Sequence, residues 1–197
     1  MTDAKPLRKP RGVARVFFQE ILEGDRRKLE ASSNDDPSAG GGARDLRVPH
    51  KAFGPLFKKF FPNEVVKRRR RGGQPTNVTL QGGEVVWIEK GQERSRAVVY
   101  EPPTDARPAE GRIARIHDLP VLADGVPPAD EGRVFVLLVQ EDDGKVYPHY
   151  VTAKQLQDPK FNREIAAAIR RCAAATPDNR AVRGFVDYVA QKQYCHG

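Results

Sequence analysis

Arg133 to Gln140 reads RVFVLLVQ, the most hydrophobic run in the chain. A stretch of that length with no polar residue inside it has no face to give to water. It therefore predicts a strand buried on both sides, near the centre of a sheet. The acidic turn EDDGK, Glu141 to Lys145, predicts a tight connection to a second strand, Tyr147 to Val151.

Other segments supply the neighbours such a strand needs. From Asn77 the pattern has period two: Val78 and Leu80 alternate with polar residues, Gly82 and Gly83 suit a tight hairpin, and Val85 to Ile88 form a return strand. Short strands are also expected at Arg27 to Ala31, at Asp45 to Val48 before Pro49, at Ala97 to Tyr100, and through Ile113 and Ile116, with Arg112 and Arg115 at its start. Helical spacing predicts four helices. The first holds Val13, Val16, Phe17 and Ile21 and closes at Gly24. The second holds Phe53, Leu56, Phe57 and Phe60, and the third follows Asp158-Pro159 with Phe161, Ile165, Ile169 and Cys172 on one face. A last helix opens at Thr176-Pro177, with Val182, Phe185, Val186 and Val189 facing inward. The expected body is β-rich with helices at its ends.

At 197 residues the chain has room for one core. We expect a disordered basic arm over 1–12, a single domain over 13–175, and a C-terminal helix and tail over 176–197. The 34 Lys+Arg against 26 Asp+Glu give a net charge of +8, which biases partners toward polyanions, nucleic acid first. No apolar run approaches the roughly 20 residues of a membrane span, and the N-terminus lacks the hydrophobic segment of a secretory signal. The expectation is an intracellular, cytoplasmic protein without a membrane partner. Cys172 and Cys195 form no disulfide framework and no zinc spacing, and Cys195-His196 reads as a frayed tail.

Two polar stretches then stand out. Asp105 to Ile116, DARPAEGRIARI, sets acids and arginines between strands, where they do nothing for a core. Arginine can grip guanine through two hydrogen bonds, and glutamate can accept one from cytosine. Ser32 to Arg44, SSNDDPSAGGGAR, sustains neither helix nor strand, and its Asn34, Asp35 and Asp36 offer acceptors to base edges or build an Asx-rich turn. Arg44 and Arg47 suit phosphate. Lys67 to Arg71, KRRRR, is the densest basic run and reads as a nuclear-import signal, a phosphate contact through residues such as Arg68 and Arg69, or, by preference, a solvated loop with incidental attraction to DNA.

The order of these pieces resembles the N-terminal effector-binding domain of EcoRII-type restriction endonucleases, a pseudobarrel related to the B-three-type domain of plant transcription factors. The resemblance covers about Val13 to Ile169. It rests on a strand leading into SSNDDPSAGGG, a short strand ending in proline, and a helix finishing at Phe61-Pro62. RAVVY at Arg96 to Tyr100 follows, then the loop ending AEGRIARI, the hydrophobic strand, the acidic turn and an aromatic strand with Tyr147 and Tyr150.

It implies an α+β fold, a β-rich open pseudobarrel of about seven strands with flanking helices. It also implies duplex DNA gripped in the major groove between two loop arms, here Ser32 to Arg44 and Thr104 to Arg115. Glu110 and Arg112 fall at base-reading positions, Arg107 and Arg115 at phosphate. Gly111 departs from the lysine found in the family and leaves the recognised sequence open. No catalytic or metal residues and no cofactor are expected. The domain would serve a restriction-modification or phage-defence system, alone or with a nuclease subunit. A magnesium nuclease using Glu84, Glu89 and Lys90 is disfavoured, because the adjacent Glu89 and Lys90 would point to opposite faces of a strand. An RNA-binding or ribosome-associated role is the remaining alternative.

Overall fold

The computed structural model describes residues 7–31, 44–71, 74–105, 107–123 and 125–196; for Arg69, Arg70 and Arg71 the backbone alone is described. The described strands, ten of them rather than about seven, join in one sheet that curls into an open half-barrel. They are β1 (Val13–Glu20), β2 (Leu46–Pro49), β3 (Asn63–Arg71), β4 (Gln74–Glu89), β5 (Gln92–Glu101), β6 (Glu110–Ile113), β7 (Val134–Glu141), β8 (Val146–Thr152), β9 (Arg183–Asp187) and β10 (Lys192–His196). Helices α1 (Glu23–Ala31), α2 (His50–Phe60), α3 (Pro120–Ala123) and α4 (Arg163–Ala175) flank it. The order across the sheet is β10-β9-β1-β7-β8-β4-β5-β6-β2, with β3 pairing separately with β4. The α+β pseudobarrel architecture expected from the sequence is what the chain adopts. No helix among the described residues is long and apolar enough to cross a membrane.

β7 lies between β1 and β8 and separates two cores. Its Val134, Val136 and Leu138 face the inside of the curl, and Phe135 and Leu137 face the opposite side. β1 does the same, with Phe17 inside and Val16 and Phe18 outside. A strand buried on both faces shows no polar alternation, so the spacing of Val13, Val16, Phe17 and Ile21 mimics a helix. The first predicted helix is thus β1, and the strand expected at Arg27 to Ala31 belongs to α1.

The inner core is closed by α2, which inserts Phe53, Phe57 and Phe60, all but inaccessible to solvent. Phe57 stacks on Tyr100 of β5 with ring centroids 5.0 Å apart, and on Phe61 just past the helix. On the outer face α4 buries Ile165, Ile169 and Cys172; Asn162 caps it by accepting from the Glu164 and Ile165 amides. Phe161 precedes the helix and packs at the border of this core.

The C-terminal segment departs from expectation. No helix forms after Thr176; Arg183–Asp187 is β9, paired with β1, and the tail returns as β10. Phe185 points into the inner core and Val182 and Val186 into the outer one, while Val189 is 60% exposed in the turn beyond β9. Nor is the tail frayed, because Cys195 of β10 is disulfide-bonded to Cys172 of α4. At the other terminus, residues 1–6 of the expected basic arm lie outside the described residues, but 7–12 are docked. Leu7 packs on the outer core, Lys9 pairs with Asp142 at 2.6 Å, and the Gly12 carbonyl accepts from the Asp142 amide.

Two further expectations change in the middle of the chain. Gly82 and Gly83 do not turn; they sit inside the 16-residue β4, and the hairpin to β5 is made by Lys90 and Gly91, both at positive φ (49° and 75°). A side chain at Gly82 would collide with Val65, and one at Gly83 with Phe61, which accounts for both glycines. KRRRR is not a loop but the distal half of β3, paired residue for residue with Gln74 to Val78.

Candidate nucleic-acid interface

The site is built on the β6–β2 edge of the sheet and on the turn that follows β6. Cross-strand register sets Arg47 opposite Arg112 and Glu101 of β5 on the other side of Arg112. Two arginines facing each other repel, and buried acids offset that here. The Arg112 Nε donates to Glu101 at 2.8 Å and its Nη1 to Asp45 at 2.6 Å, and both carboxylates are almost wholly buried. Burial works against the charge on Arg112, but the hydrogen bond it donates to Glu101 and the charges of Asp45 and Glu101 outweigh it and raise its pKa. Arg112 is therefore a buttress of the sheet edge, 28% exposed, and reading a base edge would require its guanidinium to give up these two carboxylates.

Asp45 has a second task. Its other oxygen accepts from the Arg115 backbone amide at 2.9 Å and fixes Arg115 in a left-handed conformation, φ 55°. The strand expected through Ile116 thus ends at Ile113, and Ile116 and His117 lie in a short 3-10 turn. The Arg115 side chain, 70% exposed, reaches Asp118 at 2.7 Å, and Arg44 reaches the same carboxylate at 3.5 Å. Beneath this group His117 hydrogen-bonds its Nδ1 to the Tyr150 hydroxyl at 2.7 Å and its backbone amide to the Arg44 carbonyl. Burial, with the Arg44 charge adding to it, lowers the His117 pKa to about 4, so the ring is neutral near pH 7.

Arg107 staples the preceding loop. Its guanidinium donates to the Glu110 carbonyl at 2.5 Å and the Pro102 carbonyl at 3.2 Å, while its backbone pairs with Thr104. Burial and the nearby Arg112 charge lower its pKa. The phosphate role expected of it gives way to holding the loop, since its donors point into the chain. Glu110 stays half-exposed on the rim, with Arg47 3.9 Å away and equally open. Gly111, between them, is buried under the Tyr100 hydroxyl, which a side chain at this position would overlap. A lysine at this position would therefore not fit inside the sheet. Tyr100 in turn hydrogen-bonds the Nδ1 of His50 at 2.8 Å, and the His50 amide donates to the Ala109 carbonyl, which fastens α2 to the loop.

Of the residues singled out in the sequence, Arg47 meets Glu110 and Arg44 meets Arg115 at Asp118, two groups on one sheet edge that Arg112 and Arg107 brace. Asn34, Asp35 and Asp36 lie outside the described residues. Arg68 is exposed on β3, apart from the rim. Asp45 and Glu101 were not foreseen; they become functional only through the register that brings β2, β5 and β6 together, which their spacing does not encode. The proposed nuclease set does not assemble: Glu89 pairs with Arg94 and Lys90 is consumed in the turn. Among the described residues no three of His, Cys, Asp or Glu gather as a metal set. Comparison of the chain with protein-family models, curated proteins and solved structures finds no match.

Proposed function

We propose that the chain is a sequence-specific duplex DNA-binding module of the EcoRII-type effector kind, serving a restriction-modification or defence system and not catalytic by itself. The observation that carries this reading is the sheet edge on which the Asp45–Arg112–Glu101 buttress stands between two charged groups, Arg47 beside the half-exposed acceptor Glu110, and Arg44 with Arg115 at Asp118. Sequence reading needs a fixed acceptor or donor at a base edge and cations around it for phosphates. Glu110 would accept from a cytosine amino group, and the three arginines, whose present carboxylate partners are exposed or shared, would turn to the backbone. The polar stretch 32–43 enters next to Arg44 and would supply the second arm. Such a module works in the cytoplasm, needs no cofactor, and would pair with a nuclease subunit or domain.

Selection of the full chain against a pool of random duplex DNA, followed by sequencing, tests the reading. A short enriched motif containing a C·G pair that Glu110→Gln degrades is the expected result. No enrichment over unselected DNA, or preferential retention of RNA, would overturn it.

A further inference from the structure

β3 and the first half of β4 leave the body of the protein together. Val65↔Leu80 is the last pair with a buried member, Leu80 being 1% exposed. Beyond it the register runs from Val66↔Thr79 to Arg71↔Gln74. Among the described residues no third strand joins over this length. β5 first pairs with β4 at Gln81↔Tyr100, and β8 touches β4 only at Val85↔Val146. Val66 is 62% exposed, and Lys67, Arg68, Pro75, Thr76, Asn77 and Thr79 are open to solvent. Six residues past Val65, at ~3.3 Å each, make a ribbon about 20 Å long.

Its composition is one-sided. Lys67 to Arg71 are five consecutive cations, and no Asp or Glu occurs from Lys67 to Gln81. At the root of the ribbon lies a concave cleft of about 590 Å³, floored by Gly82 and Gly83 and flanked by Lys67, Arg96 and Arg115. Glu84 is the one acid on its wall. Through Arg115 this cleft adjoins the group formed by Asp118 and Arg44.

A two-stranded ribbon alone is marginal in water, and five adjacent cations on it repel one another. A polyanion relieves that repulsion. The major groove of B-form DNA, roughly 12 Å wide, admits a two-stranded ribbon, whereas the deep, narrow major groove of A-form RNA does not. The competing explanation is that the arginines and Pro75 only guard an unpaired strand edge against aggregation, and such a guard would make no footprint on DNA.

We propose that the β3–β4 ribbon is a DNA-contacting arm that lies in the major groove, with Lys67, Arg96 and Arg115 in the cleft at its root holding the flanking phosphates. It rests on the duplex DNA reading above and adds a third contact to the two loop arms.

Two measurements on the full chain test it. The first is the salt dependence of binding to the selected duplex for the wild type and for the combined Arg68→Ala, Arg69→Ala, Arg70→Ala, Arg71→Ala variant. Loss of four phosphate contacts should flatten the slope of log K against log salt by about 3 to 4. The second uses Asn77→Cys, a unique reactive thiol because both native cysteines are paired, carrying an iron chelate that cuts nearby DNA. Scission confined to a few base pairs within the bound site is expected, and it does not require the four-arginine variant to fold. Wild-type binding with an unchanged slope and no localised scission would overturn the ribbon's role and leave the DNA reading standing. No duplex binding by the wild type would overturn both. Binding of duplex RNA in preference to DNA would remove the major-groove assignment.

Discussion

Gly111 lies directly beneath the Tyr100 hydroxyl, so close that the smallest side chain would occupy the space of the oxygen. The hydroxyl cannot simply retreat, because it is hydrogen-bonded to His50 and its ring is stacked on Phe57. Gly111→Ala should therefore cost about 1–3 kcal/mol, the usual penalty for overfilling a packed site. Adding Tyr100→Phe should return only a small part of that loss, because the hydroxyl is gone but Cζ and Cε2 of the ring still overlap the added Cβ. Urea unfolding of the two single variants and the double variant checks this; full stability of Gly111→Ala would contradict the packing account.

Arg112 makes the opposite kind of claim. Removing it leaves Asp45 and Glu101 buried without their shared cation, and breaking such a pair costs about 3–5 kcal/mol. We expect Arg112→Ala to unfold at markedly lower denaturant and to lose affinity equally for matched and random duplexes. Arg47→Ala, on the open rim, should instead leave stability within about 0.5 kcal/mol of wild type and weaken DNA binding. A selective loss on the matched duplex for Arg112→Ala would restore that residue as a reader.

His117 sets a pH window. Its ordinary pKa of 6.5 falls to about 4 in the fold, chiefly by burial, with Arg44 adding and Asp118 opposing. The unfolded chain thus binds the proton first. The stability gained by keeping the ring neutral is complete above pH 6.5 and is lost as the pH drops from there toward 4, about 3 kcal/mol in all. His149, lowered by burial in the same direction, adds to the slope. Unfolding curves between pH 7.5 and 4.5 should show the fall, and His117→Gln, which can still meet the Tyr150 hydroxyl, should flatten it. An identical slope in the variant would assign the effect elsewhere.

The cystine predicts a redox effect on stability and a smaller one on binding. Cys172 and Cys195 are 23 residues apart in the chain, and closing a loop of that size is worth about 3 kcal/mol. Thiol reductants, which the cytoplasm contains, should lower the melting temperature. DNA affinity should fall as well, though less, because the curl of the sheet brings His196 of β10 edge-on to Phe53 of α2 and sets its strand partner Arg183 within reach of the Glu110 charge. A reduced protein with an unchanged melting temperature would show that the bond does not tie β10 down.

What the sequence reveals depends on how local each decision is. β7 is legible because a run with no solvated face has few places to go, and α2 and α4 because their buried sides follow helical spacing. β1 and β9 are not, since burial on both faces erases the alternation that marks a strand. Val182, Phe185, Val186 and Val189 even imitate a helix, although Val189 ends in solvent. KRRRR becomes a strand only because QPTNV lies across from it. In the site, Glu110 and the exposed arginines were readable by type. The roles of Arg107 and Arg112 were not, because backbone carbonyls, which carry no residue signature, decide the first and carboxylates brought in by strand register decide the second.

β4 belongs to two structures at once, ribbon over its first half and barrel wall over its second. Mechanically it is a cantilever clamped at Gly82 and Gly83, where Val65 and Phe61 press on the backbone. Phe61, packed on Gly83, stacks on Phe57, and Phe57 stacks on Tyr100 under the rim. The two ends of the candidate interface are thus joined by stacked rings, and stiffness at the clamp sets how far the tip can swing.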